Sequence, residues 1–307
     1  MAFYCPDDAL QQRLEQVIDA LAADGRPELR QQLSVTWLCY EQPLRQRGSG
    51  ASASDAFWQE PVAGASWRGE QPRYPASVVK LLYLVAAEAW LQRQLIEDSP
   101  ELRRALADMI RDSSNDATGM VLDLLTGTGS GPELPAAAFE RWSRQRQLVN
   151  RWFTGLEWAE WAGCNACQKT WSDGPYGRER QFYGAQLENR NRLSTDLTAR
   201  VLHAVMAGAM VSPPADQRMQ ELLARSLETK ERAADPENQV DGFLGDGLPE
   251  GSQLWSKAGW MSQARHDAAY VEVPERKPFL LVAFSEGRSC ATDTTLLPEL
   301  CRLLRDG

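Results

Sequence analysis

Leu10, Leu14, Val17, Ile18 and Leu21 recur at intervals of three and four, and this spacing predicts an amphipathic helix over 8–21. Residues 33–40 follow as a β-rich run with partial alternation, which predicts a strand. The stretch 47–55 is dense in Gly, Ser and Ala and reads as a loop, after which 57–67 has the character of a second strand or hairpin arm. From 77 to 95 the chain is strongly helical, with Pro75 just upstream. Its block 78–89 is too continuously apolar for a surface helix, so a buried central helix is expected. Helical patterns recur at 101–111, 116–125, 135–154 and 197–210, whereas 164–192, rich in Gly, Asn, Trp and Tyr, reads as ordered loop. After Pro213 and Pro214 a helix over 216–227 leads through a polar loop, 230–250, to strand-like runs at 253–260, 266–273 and 279–284. Their short connections predict an antiparallel meander, and an amphipathic helix over 295–304 closes the chain.

The simplest architecture that uses all of these is a mixed α/β (α+β) fold. One antiparallel sheet joins the N-terminal strands to the C-terminal meander, both terminal helices cover one face, and an all-α domain is inserted between the halves. The expected division is 1–70 with 211–307 as the α/β domain and 71–210 as the all-α domain. No internal repeat or low-complexity tract interrupts this pattern.

Composition narrows the function. At 307 residues, 43% hydrophobic and 24% charged, the chain can bury a full core. A net charge of -9 argues against a nucleic-acid or anionic-membrane partner, since both need a basic face. The first thirty residues carry Asp7, Asp8 and Glu15 and no apolar signal-type run, so the expected location is cytoplasmic. Six cysteines are then expected as free thiols. Cys164 and Cys167 have metal-knuckle or redox spacing but no second Cys/His pair nearby, and a metal or redox protein built on them is the least favoured reading. No cofactor is expected. Gly127, Gly129 and Gly131 follow a helix and not a strand, so they make a linker and not a phosphate loop.

Lysine is scarce, five against 28 arginines, and two of the five carry the candidate chemistry. Ser77-Val78-Val79-Lys80 places a hydroxyl and an amine three residues apart, on one face at the start of the buried helix. Burial would depress the lysine pKa, so that a neutral amine could take the serine proton, and the helix N-terminus would favour the developing oxyanion. Ser113-Ser114-Asn115 opens a later helix, where capping is the plain explanation. Lys257-Ala258-Gly259 lies in the first strand of the meander, where a lone lysine is ordinarily solvated.

In this order, the three elements resemble the S-x-x-K, S-D-N and K-T-G set of the class A β-lactamases and penicillin-binding proteins. The resemblance covers most of the chain from about residue 33 onward. It implies the β-lactamase/transpeptidase-like fold, with the active site in the cleft between the two domains. It also implies roles: Ser77 as nucleophile, Lys80 as its proton acceptor, Ser113 as relay to the leaving group and Asn115 as partner of a substrate amide. Lys257 would bind a substrate carboxylate or tune Ser113, and the backbone N–H groups of Ser77 and Trp260 would form the oxyanion hole.

The motifs also depart from the family pattern. The second reads Ser-Ser-Asn, Ala258 lacks the usual hydroxyl of the third, and the E-x-x-L-N segment that supplies a deacylating base is not found. Glu157 and Glu160 lie at about the right distance in the sequence to replace it. Weak penicillin turnover is therefore expected. Trp260 would narrow the cleft or offer a stacking face, Arg265 with Lys257 would favour an anionic small-molecule or peptide substrate, and His266 could face the pocket. Trp152, Trp158, Trp161 and Trp171, with Tyr176 and Tyr183, either line that pocket or pack the core. The functional expectation is a serine hydrolase working through an acyl-serine intermediate on an amide, peptide or ester. The alternative is a catalytically weak penicillin-binding-like or ligand-binding protein of the same fold.

Overall fold

The computed structural model describes residues 3–46, 62–171, 174–235 and 237–306. The loop expected over 47–55 and the first part of the expected strand 57–67 lie outside them.

A seven-stranded sheet forms the centre. Its strands are β1 (Cys5–Pro6), β2 (Leu33–Cys39), β3 (Ala63–Trp67), β4 (Ala224–Arg225), β5 (Gln253–Met261), β6 (Ala264–Glu272) and β7 (Phe279–Glu286), in the spatial order β1-β3-β2-β7-β6-β5-β4. All pairings are antiparallel except β1 with β3, a parallel pair of two residues. The meander β5-β6-β7 follows the sequence pattern, and β7 joins it to β2 by pairing from Leu33 with Ser285 to Cys39 with Phe279. The two ends of the chain thus share one sheet.

The alternation in β2 is only partial because both of its faces are covered. Leu33, Val35 and Trp37 pack on one side with the helix Asp8–Ala23 (α1) and the C-terminal helix Leu296–Arg305, through Leu14, Ile18, Leu296 and Leu300. Both terminal helices therefore cover one face. On the other side, the Thr36 hydroxyl donates to Asp196 Oδ1 at 2.6 Å and lies 2.8 Å from Thr195 Oγ1, from which it accepts, at the start of the helix Thr195–Met206. The polar half of the strand pattern is thus consumed by a buried helix start and not by water.

The helix Val79–Gln92 (α2) is buried from Val79 to Trp90, which explains its unbroken apolar block. It packs with the helices Pro100–Arg111 (α3) and Asn115–Thr126 (α4). Some boundaries differ from the sequence expectation. The helix expected over 135–154 breaks at Gln147 into Ala136–Arg146 and Leu148–Thr154. The helix expected over 216–227 runs Pro213–Leu223, because Ala224 and Arg225 pair with β5. The segments read as loop contain short helices at Gly177–Tyr183 and Thr229–Ala234. Among the described residues no helix is long and apolar enough to cross a membrane.

Candidate active site

The chain reaches α2 through a single 3-10 turn, Ala76–Val78, closed by Val78 N–H donating to Pro75 O at 3.0 Å. Ala76 has φ of +46°, a left-handed conformation that an L residue adopts at a cost of about 1–3 kcal/mol. The turn lies against β5, whose pairing with β4 covers only Leu254 and Trp255. A Cβ built on Gly259 would fall 2.9 Å from Pro75 O and from Ser77 N, and 3.0 Å from Val78 N. Glycine at 259 is what lets the strand edge and the serine-bearing turn touch.

Ser113 occupies the junction of α3 and α4 with φ of +55°. Its hydroxyl is bracketed by two amines: Lys80 Nζ at 3.1 Å and Lys257 Nζ at 3.0 Å. Lys80 also donates to Ser113 O and, at 3.0 Å, to Asn115 Oδ1. Lys257 donates to Gln239 Oε1 and, at 2.8 Å, to Ala258 O. Both lysines are 0% exposed. Burial pushes the Lys80 amine down to about 7. Lys257 is pushed well below its usual value by burial first, then by the neighbouring charges of Lys80 and Arg225. Among the described residues no hydrogen bond joins the Ser77 hydroxyl to Lys80, whose partners are Ser113 and Asn115.

A cavity of about 420 Å³ opens above this group. Ser77, Ser113, Asn115, Ala258, Gly259, Trp260 and Arg265 all line it, so each of the three separated motifs contributes to one cleft, while Lys80 and Lys257 are buried behind Ser113 and do not line it. Trp260 is 58% exposed, with its Nε1–H donated to Ala291 O at 2.9 Å. Arg265 donates to Ala291 O at 3.2 Å and Gly242 O at 3.3 Å, and its guanidinium lies 4.9 Å from the Phe243 ring centroid. The sequence reading missed Asp112, Glu237, Asn238, Gln239, Asp241 and Phe243 on the same wall. The last five come from a loop whose polar composition carried no motif.

Other candidates are elsewhere. Glu160 accepts from Phe3 N–H at 3.0 Å and pairs with Arg200 at 2.5 Å, while Glu157 is exposed; neither lines the cleft, so the expected replacement base is not there. His266 is buried: its Nδ1 accepts from Ser285 N–H at 3.0 Å and its Nε2 lies 2.8 Å from Tyr74 O. Burial pushes it down to about 4, which makes it a neutral strut between β6 and the segment leading to Ser77, not a pocket residue. Trp152, Trp158 and Trp161 pack against the core around Phe153 and Trp90, and Tyr176 and Tyr183 line a different depression. Cys164 and Cys167 are free thiols, and burial pushes Cys167 up to about 12. Among the described residues no three metal-binding side chains gather.

This fold and the clustering of the three motifs define a serine-hydrolase architecture of the β-lactamase type. The family model described as the beta-lactamase enzyme family matches residues 88–305, and the chain belongs to that family. The matched span begins after Ser77 and Lys80 and does not include them. Among solved structures, PBP-A is 16% identical with a TM-score of 0.61, over 99% of this chain and 97% of that one. A point mutant of PBP-A, an acyl-enzyme complex with penicillin G, is 15% identical with a TM-score of 0.62, over 98% of this chain and 97% of that one. A beta-lactamase from Sphaerobacter thermophilus is 15% identical with a TM-score of 0.61, over 95% of each chain. These likenesses show the fold. No curated protein matches the chain.

Proposed function

We propose that this protein is a serine acyl hydrolase that cleaves an amide, peptide or ester through an acyl-Ser77 intermediate. The observation that carries the reading is the Ser113 hydroxyl held between two buried amines, on the wall of the cavity that Ser77 also lines. With Lys80 brought down to about 7, half of it is neutral near pH 7 and able to take the Ser77 proton as Oγ attacks the carbonyl carbon. That transfer needs Lys80 Nζ to swing from Asn115 toward Ser77, or one intervening water. The backbone N–H groups of Ser77 and Trp260 receive the oxyanion. Both lone pairs of Ser113 Oγ are engaged when the two lysines donate to it, which directs its own proton into the cavity. It passes that proton to the departing nitrogen or oxygen, and the proton on Lys80 replaces it. Asn115 presents its amide N–H to the substrate, and water then cleaves the acyl-serine ester.

One observation favours slow deacylation and hence penicillin-binding-like behaviour: Glu157 and Glu160 both lie away from the cleft. The carboxylates that do line it are Asp112, Glu237 and Asp241.

The substrate is proposed to be anionic. Arg265 donates to two carbonyls, lies on the Phe243 ring and feels the Asp293 carboxylate, and a substrate carboxylate would take the rest of its fork. A paired panel of carboxylated and neutral amides and esters tests this, with Ser77→Ala as the blank. The carboxylated set should show at least about tenfold higher kcat/KM, a difference of about 1.4 kcal/mol, and Arg265→Ala should erase the preference. Equal rates on the two sets would remove the anionic assignment.

A further inference from the structure

Gln239 belongs to none of the three motifs, yet its buried side chain touches two of the segments that carry them. Its Oε1 accepts from Lys257 Nζ and, at 3.2 Å, from Ala258 N–H. Its Nε2 donates to Ile110 O at 2.9 Å and Arg111 O at 2.8 Å. Those two carbonyls end α3 and have no partner within the helix. Ser113 follows two residues later in a left-handed conformation that needs outside support.

We propose that Gln239 is a positioning residue for Ser113: one amide clamps the Lys257 amine and the end of α3, and thereby fixes the hydroxyl between its two lysines. Arg225 completes the clamp from β4, joining Ile110 O at 2.8 Å and Arg111 O at 3.2 Å to Ser256 O. Only an amide can do this at 239. Lys257 takes an acceptor, and Ile110 O and Arg111 O each take a donor beside the one from Arg225, a combination that one Gln supplies and neither Glu nor an apolar side chain can. The inference rests on the acyl-serine reading for its catalytic consequence, though not for its geometry. The groups facing Lys257 are Lys80 from α2, Arg225 from β4 and Asp267 from β6. A carboxylate at 239 would add an anion in direct contact and hold Lys257 protonated.

Two readouts on the full chain separate this inference from the reading beneath it. With only five lysines, the Cε signals of labelled lysine can follow the titration of Lys257 directly by NMR. Gln239→Glu should raise the Lys257 titration midpoint by more than one pH unit, whereas Gln239→Met should lower it or leave it below that of the native protein. Both variants should slow fluorophosphonate labelling of Ser77 about tenfold or more and displace its pH profile, with unfolding midpoints within a few degrees of the native protein. Identical Lys257 titrations in all three proteins would overturn the clamp, as would native labelling rates in both variants. A native protein that is never labelled would end the acyl-serine reading, and the lysine titrations would still decide whether Gln239 governs Lys257.

Discussion

Replacing Lys80 by Met should abolish acylation of Ser77 and at the same time make the protein more stable. Folding brings this amine from 10.5 down to about 7 through burial. Its folded pKa therefore lies below its unfolded one, and the unfolded chain binds the extra proton between pH 7 and 10.5. Stability is greatest above the upper value and falls as pH drops toward 7. At pH 7 this costs the folded state about 4 kcal/mol. Methionine removes that cost but leaves Ser113 O and Asn115 Oδ1 without a donor, a loss of about 1–3 kcal/mol. A net gain of about 1–3 kcal/mol should remain, visible as a rise of a few degrees in Tm. Loss of the proton acceptor should slow acylation by about 10²–10⁴-fold. Lys80→Arg should be equally inactive, because guanidinium holds its proton at neutral pH, and native acylation should climb as pH rises through 7. A Lys80→Met protein that keeps its acylation rate would contradict the assignment of the base.

The second large effect is expected from the smallest change, Gly259→Ala. The added methyl would meet backbone atoms of the serine turn at 2.9 Å, a distance that requires the strand or the turn to move. The neighbours are Pro75 O, Ser77 N and Val78 N, none of which is a flexible side-chain end. Overpacking of this kind costs about 1–3 kcal/mol of stability. Its larger consequence is catalytic: the strand edge bearing Trp260 N–H and the turn bearing Ser77 N–H would part, and the oxyanion hole with them. Removing an oxyanion contact of this type costs about 10²–10³ in rate. Labelling rates of Gly259→Ala and the native protein compared at one pH would show it. Native labelling would mean that the close approach of β5 to the turn has no catalytic part.

The sequence made the segments with one periodic face readable, together with the motif residues. Ser77, Ser113, Asn115, Gly259, Trp260 and Arg265 came from spacing and resemblance, and they line one cavity. Polar residues with more than one explanation were less readable. Gln239 sits in a loop of charged residues, and only the folded chain shows that its amide spans Lys257 and the end of α3. Glu160 lay at a plausible separation, but its carboxylate is held by Arg200 and Phe3 N–H, a contact across 157 positions to the N-terminus. The tryptophans of 152–161 are partly buried and pack against the helical core, which their clustering alone could not distinguish from a pocket wall. His266 is polar in sequence and structural in the fold, because Ser285 N–H and Tyr74 O take both ring nitrogens.

Intact-mass analysis after exposure to a fluorophosphonate and, separately, to benzylpenicillin tests the central claim most directly. The account predicts a single covalent adduct from each, mapped by peptide sequencing to Ser77 and absent from Ser77→Ala. The penicilloyl adduct should persist, since neither Glu157 nor Glu160 lies at the cleft to drive its hydrolysis. A native protein that stays unmodified by both reagents, or a Ser77→Ala protein modified at the native rate, would contradict it.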